Sequence, residues 1–299
     1  MNRTSRLGAA GAATLLLPVL GYAVPAAAAD LACGDVVMTS TVLTSDLVCG
    51  PGDGLVIGAD GVVLDLGGHH IMGAGAYGAG AGAGVRIANR SGVTVTNGHI
   101  GHFASALEIQ QSWGATVTGI HAGHGDRGIN VGTGGGHVIH LNVLHDNGRD
   151  AVRVDGSVDV EVSKNDLDGN VFGIGLYRAV DAEVVKNTVD GSVQWAIAVD
   201  ASSVGTDLVK NVVSGTVLDG ILVTSDTTGT VLTKNEVYAS GWDGIDVRSA
   251  SATLTKNLAV GNGLQGIAAV DGVTDGGGNM AAGNGDARQC TGVVCTAPR

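Results

Sequence analysis

A unit that opens with a small residue and an apolar-x-apolar triplet recurs nine times between Gly84 and Gly266, at a spacing of 22 to 24 residues. The openings are Gly84-Val-Arg-Ile, Ala106-Leu-Glu-Ile, Gly128-Ile-Asn-Val, Ala151-Val-Arg-Val, Gly173-Ile-Gly-Leu, Ala196-Ile-Ala-Val, Gly220-Ile-Leu-Val, Gly244-Ile-Asp-Val and Gly266-Ile-Ala-Ala. Asparagines keep the same period at Asn142, Asn165, Asn187, Asn211, Asn235, Asn257 and Asn279, with Asn97 and Gly119 in the matching places upstream. Short β-branched stretches parted by Gly, Asn and Asp, with no helical period, predict a solenoid of β-coils. Aromatic residues are only 3% of the chain. A sandwich of this length would fill its centre with larger rings, whereas a narrow coil is filled by stacked aliphatics. The 51 glycines follow no Gly-X-Y period, which excludes collagen.

Alternation predicts which side chains face inward. In Val158-Asp-Val160-Glu-Val162 the valines point to one side and the acids to the other, and Val152 and Val154 flank an outward Arg153. Successive coils are expected about 4.8 Å apart, so roughly ten of them make a rod nearly 50 Å long. The asparagine column reads as a structural ladder, each side chain satisfying backbone at a bend and its neighbour in the stack.

Residues 1–29 read as an export signal: Arg3 and Arg6 precede an apolar stretch from Leu7 to Val24, and Ala26 to Ala29 offer a cleavage site before Asp30. The expected organisation is then an N-terminal cap over 30–54, a β-helix over 55–285 and a tail over 286–299, in a secreted, extracellular chain. Removing the two arginines moves the formal charge from -12 to -14. No other apolar run reaches the ~20 residues needed to cross a bilayer. In an exported chain, Cys33 with Cys49 and Cys290 with Cys295 read as two disulfides that tie the fraying end coils. Strong negative charge and few stacking rings argue against nucleic acid.

Cys33-Gly-Asp-Val and the run from Leu47 through Asp65 to Gly73, followed by G-I-x-V and N-x-V-x-x-N units, resemble exported right-handed parallel β-helix proteins of the pectin-lyase-like superfamily. The resemblance covers nearly all of the chain after the leader, and it implies an all-β, single-stranded right-handed parallel β-helix of about ten coils. It also implies a polysaccharide or cell-wall glycan as partner. The superfamily's active sites do not carry over: Gly123-His124-Gly125 is similar to one polygalacturonase element, but the Asn-Thr-Asp and Asp-Asp elements are missing. The Asp-Pro-His of alginate epimerases and the calcium-binding signatures of pectate lyases are missing too.

Chemistry-bearing residues crowd into the stretch from His99 to Arg153. The outward middle position of the triplet is Arg86, Glu108, Asn130 and Arg153 in the early units, then Gly175, Ala198 and Leu222, so a site is expected on that face in the N-terminal half. Lysis or epimerisation of a uronate needs a cation for the carboxylate, a base and an acid; Arg127 or Arg153, His124 or His145, and Glu108 or Asp126 supply those types. A hydrolase would need paired carboxylates, for which Asp219 and Asp243, with Asp246 nearby, are the candidates. Lys164, Lys186, Lys210, Lys234 and Lys256 line up beside the asparagine column over about 19 Å and suit a polyanion, with Glu161, Glu183 and Asp207 placed to neutralise three of them. No cofactor is evident; the acidic surface admits calcium, whereas scarce methionine gives copper no support. The expected function is binding or processing of an extracellular polysaccharide by a lyase, epimerase or hydrolase. The alternative is a non-catalytic surface solenoid for adhesion or scaffolding, and an ice-binding solenoid ranks last because regular Thr arrays are nearly absent.

Overall fold

The computed structural model describes residues 27–75 and 82–298. The export-signal assignment falls almost wholly on residues 1–26, outside the described residues. The chain is a right-handed parallel β-helix, with every strand pairing in the named ladders parallel. One face, here the front sheet, has twelve strands, running from Asp35–Val37 through Ala83–Ala88, Ser105–Gln110, Arg127–Val131, Asp150–Asp155 and Phe172–Tyr177 to Cys290–Thr291. Two further ladders form the other sides of the coil. Thr94–Gly101 and Thr116–Gly123 run through both, joining them into one 22-stranded sheet.

The interior is one continuous column of aliphatics, among them Ile87, Leu107, Ile129, Val152, Ile174, Ile197, Ile221 and Ile245. Among the described residues Phe103 is the one large aromatic ring buried in it. The small opening residues are required by contact between coils: a Cβ on Gly128 would stand 2.4 Å from the Ala151 carbonyl oxygen, and one on Gly173 2.2 Å from that of Ala196. Both predicted disulfides are formed, Cys33–Cys49 and Cys290–Cys295. The terminal segments continue the helix. Asp35–Val37 and Thr41–Leu43 pair with the next coil, and Cys295–Thr296 pairs with Asn279–Ala282.

The asparagine ladder is built as expected from Asn142 on. Asn142 Nδ2 donates to Asn165 Oδ1 at 3.0 Å and to the Val117 carbonyl at 3.0 Å, while Asn165 Oδ1 also accepts the Asn142 amide. The same pattern runs to Asn279. Asn97 and Gly119 do not belong to this column. Ile120 stands in the asparagine position, pairs with Gly98 and gives its amide to Asn142 Oδ1, whereas Asn97 and Gly119 sit one residue earlier with φ of 59° and 64°. That left-handed corner is where the five lysines also lie, at φ of 53° to 57°. The turn, not the amide, decided those positions. A second ladder, Asn147 to Asn170 and Asn262 to Asn284, escaped the sequence reading because Ser192, Thr216 and Ser240 interrupt it. The run Val158 to Val162 is not one strand: Asp159 turns with φ of 52°, leaving Val160 and Val162 buried and Val158 half-exposed.

Candidate functional site

The outward triplet column is a continuous stack on the front sheet: Arg86 pairs with Glu108, Glu108 with Asn130, Asn130 with Arg153, and Arg153 with Gly175. Its upper end is closed by ion pairs. Arg86 donates to Asp53 at 2.6 Å and to Glu108 at 2.7 Å, and the guanidinium holds the Asp53 carboxyl below its ordinary range. Glu108 is therefore committed to Arg86.

One coil further on the stack opens into a cavity of about 350 Å³. Arg127, Arg153 and Arg178 line it, with Asn130, Gln110 and Thr133 as neutral donors and acceptors and Asp155 as its acid. Each arginine is fixed by what surrounds it. Arg153 donates to Asp155 at 2.8 Å and lies with its guanidinium carbon 3.9 Å from the centre of the Tyr177 ring. Arg178 pairs with the other oxygen of Asp155. Arg127 Nη1 is 3.4 Å from Asp126 and its Nε 3.4 Å from Asp150. Asp150 is 3% exposed, and one of its oxygens has no hydrogen-bond partner. Burial pushes its carboxyl up, with Arg153 and Arg127 opposing that shift. Burial likewise pushes up the Tyr177 phenol.

His124 and His145 stand elsewhere, at a corner between the front sheet and the ladder of Val143–His145. They belong to one of two columns of neighbouring imidazoles. His70, His99 and His121 follow one another at ring distances of 4.3 and 4.8 Å, and His102, His124 and His145 at 5.5 and 5.0 Å. A cavity of about 210 Å³ is lined by five of the six rings together with Met72. Donor atoms of His124, His145 and Asp146 lie within 4.8 Å of one another. Burial, then the neighbouring His70 and His121, lowers the pKa of His99. The structure thus divides the predicted lyase set: Arg127 and Arg153 line one cavity, His124 and His145 line another, and no residue lines both. His137, read as part of the same polar stretch, is fully buried; its Nδ1 accepts the Ala115 amide, and burial pushes its pKa down to about 4.

The five lysines are exposed at their corner. Among the described residues none comes within ion-pair distance of a carboxylate, so Glu161, Glu183 and Asp207 do not neutralise them by direct contact. Asp219, Asp243 and Asp246 do converge, with carboxylate oxygens within 4.8 Å of one another. Burial, opposed by the Asp243 amide, pushes Asp219 up to about 6.

The profile of the family described as periplasmic copper-binding protein (NosD) matches residues 67–237, more than half of the sequence. The chain belongs to the NosD family. This NosD-family chain is similar in fold to DFA-IIIase from Arthrobacter chlorophenolicus A6 in complex with DFA-III, at a TM-score of 0.54 and 14% identity over 80% of this chain and 63% of that one. It is also similar to a variant of the catalytic domain of a GH87 α-1,3-glucanase in complex with nigerose, at 0.53 and 14% over 85% and 63%. XylC in complex with xylose matches at 0.52 and 15% over 60% and 38%. The NosD-family chain spans less than two thirds of the length of each. No curated protein matches it in sequence. No helix among the described residues is long and apolar enough to cross a membrane.

The NosD description raises the question of copper. Imidazole nitrogens and a thioether are the donors copper prefers, and the histidine cavity with Met72 offers both, so the residues present fit the metal. Methionine is scarce in the sequence, but one of the four stands where it counts for this site.

Proposed function

We propose that the chain recognises an acidic glycan outside the cytoplasm and holds its carboxylates in the front-sheet cavity of Arg127, Arg153 and Arg178. The observation that supports this most is the clustering of three guanidiniums around one open cavity, two of them oriented by the single carboxylate of Asp155. A guanidinium fork takes a sugar carboxylate in two parallel hydrogen bonds, and the amides of Asn130 and Gln110 offer partners for hydroxyls. The sugars in complex with the structural neighbours, DFA-III, nigerose and xylose, are neutral; they support a carbohydrate ligand, and the acidity of that ligand is inferred from the arginines alone. Lyase or epimerase action would use the arginines to neutralise the uronate carboxylate, but no histidine lines this cavity and Asp155, the carboxylate that does, is engaged by Arg153 and Arg178. Binding without turnover is therefore the form the geometry favours. The exposed lysine column, on another edge, is a second and weaker contact for the same kind of polyanion. The test is a panel of alginate, pectate, glucuronan, hyaluronan and neutral glycans, reading binding, unsaturated products and new reducing ends. Retention of uronans alone is expected. Equal retention of neutral glycans would overturn the reading, and unsaturated product would convert it to a lyase.

The histidine cavity favours a second reading, copper binding. His124, His145 and Asp146 would hold the ion at the corner, and His70, His99, His121 and Met72 would supply further donors along the strip. These side chains would fix the ion and shield it from competing ligands. Stoichiometric copper binding that is lost in the double variant His124→Ala/His145→Ala is expected.

A further inference from the structure

We infer that Asp219, Asp243 and Asp246 form a binding site for one divalent cation, of which calcium is the best fit. The three carboxylates come from two consecutive coils: Asp219 and Asp243 immediately precede the opening Gly220 and Gly244, and Asp246 is the outward middle residue of its triplet. Each has one oxygen already occupied. Asp219 Oδ1 accepts the Asp243 amide at 3.0 Å, Asp243 Oδ1 accepts the Gln265 amide at 2.7 Å, and Asp246 Oδ2 accepts from Arg248 at 2.7 Å. The remaining oxygen of each has no protein donor among the described residues. That is most telling for Asp219, which is 1% exposed and whose Oδ2 is buried without a partner. A buried, unsatisfied carboxylate oxygen beside two further carboxylates is costly unless something positive sits among them.

Charge and geometry say what that is. Three carboxylates against the one guanidinium of Arg248 leave a net charge of -2, which a divalent cation cancels. The donors are all oxygens, so hard cations are preferred over copper or zinc. Calcium, at about 2.3–2.6 Å per bond, bridges oxygens up to about 5 Å apart, which covers the whole 4.8 Å spread of this trio; magnesium demands shorter bonds and a stricter octahedron. Entry is from the side of Asp243 and Asp246, both partly exposed, where water or a ligand completes the shell.

The test uses the full chain freed of metal with a chelator. Calorimetric titration with calcium chloride at neutral pH should show one ion per chain, with Kd in the range of about 10⁻⁴–10⁻³ M usual for extracellular modules. Thermal melting should shift upward with calcium. Trp242 adjoins Asp243, so terbium luminescence sensitised by tryptophan gives an independent readout. Asp219→Asn keeps the acceptor for the Asp243 amide but should weaken calcium at least about tenfold, a loss of about 1.4 kcal/mol. Asp246→Asn, at a partly exposed position, is the second variant should the first not fold. Asp166→Asn, at an exposed aspartate two coils away, should bind as the wild type does. No calcium binding by the wild-type chain, or equal binding by both trio variants, would overturn the inference.

Discussion

The two halves of the rod share one coil yet use their outward positions in opposite ways. In the first half the front strands are long, six residues in Ala83–Ala88, Ser105–Gln110 and Asp150–Asp155, and their outward residues are charged or polar. In the second half they shorten to three in Ile221–Val223 and Ile245–Val247, and the outward Ala198 and Leu222 are only 4% exposed. The asparagine ladder runs unbroken through the second half, while Gly98 and Ile120 occupy its column in the first. Regular repetition satisfies the backbone internally and leaves little for a ligand. In the first half the arginine cavity and the histidine strip leave side chains available for chemistry; in the second the acidic trio is the exception, with Asp246 the charged residue at an outward position that Ala198 and Leu222 leave apolar.

That contrast is broken most directly in the ladder. Asn211→Ala removes the acceptor of both the Asn187 amide and Asn187 Nδ2, and the donor to the Val184 carbonyl, so several buried groups lose partners together. We predict a loss of about 4 kcal/mol in chemical denaturation, with unsatisfied buried groups costing about 1–3 kcal/mol each. A loss below about 1 kcal/mol would show that the ladder accompanies the fold without holding it.

The first half has its own buried polar group in His137, and pH separates it from the rest. Its folded pKa, about 4, lies below the unfolded value of 6.5, so the unfolded chain takes up the proton first and the native state loses stability as pH falls from about 6.5 to 4. The contribution approaches about 3 kcal/mol. Buried Asp150 and Asp219 have raised values and act in the opposite direction, so the quantity to measure is the difference between wild type and His137→Gln across that range. Parallel stability profiles would contradict the assignment.

The ends sharpen the comparison at a smaller scale. Reduction-proof variants lacking Cys33–Cys49, whose separation is 16, should lose about 3 kcal/mol, and those lacking Cys290–Cys295, with a separation of 5, about 2 kcal/mol, if loop entropy governs both. Melting of the two serine variants side by side gives the order. The smallest effect is expected next door to the largest: Lys210→Gly relieves a left-handed corner at φ 57° and should change stability by no more than about 1 kcal/mol, although Lys210 adjoins Asn211.

The fold was legible because the period is a property of the sequence itself. The spacing of Gly84, Ala106, Gly128 and their successors is the length of one turn, and the alternation around Arg153 and Glu108 told inside from outside. Corners were harder to read. Asn97 and Gly119 fall at the repeat spacing expected of the asparagine column, and only the strand register and backbone angles show that they stand where the lysines do. The site was legible in part: Arg127 and Arg153 do face one cavity, but Arg178 lies beyond the triplet, just past the end of the strand Phe172–Tyr177 at a left-handed bend with φ of 50°, where no alternation marks its direction. His124 and His145 are near the arginines in sequence yet project into another cavity, since a corner intervenes at Gly125 and Asp126. The acidic trio was visible as spacing; the unpaired oxygen of Asp219 was not.

The most direct test of acidic-glycan recognition at the front sheet is equilibrium binding of one uronan oligosaccharide and its carboxyl-reduced counterpart to wild type and to Arg153→Ala. Wild type should bind the uronan at least about tenfold more tightly than the reduced form, and Arg153→Ala should abolish that difference while the chain keeps its β-helical circular dichroism. Equal affinity of wild type for the two oligosaccharides, or an unchanged preference in Arg153→Ala, would contradict the account.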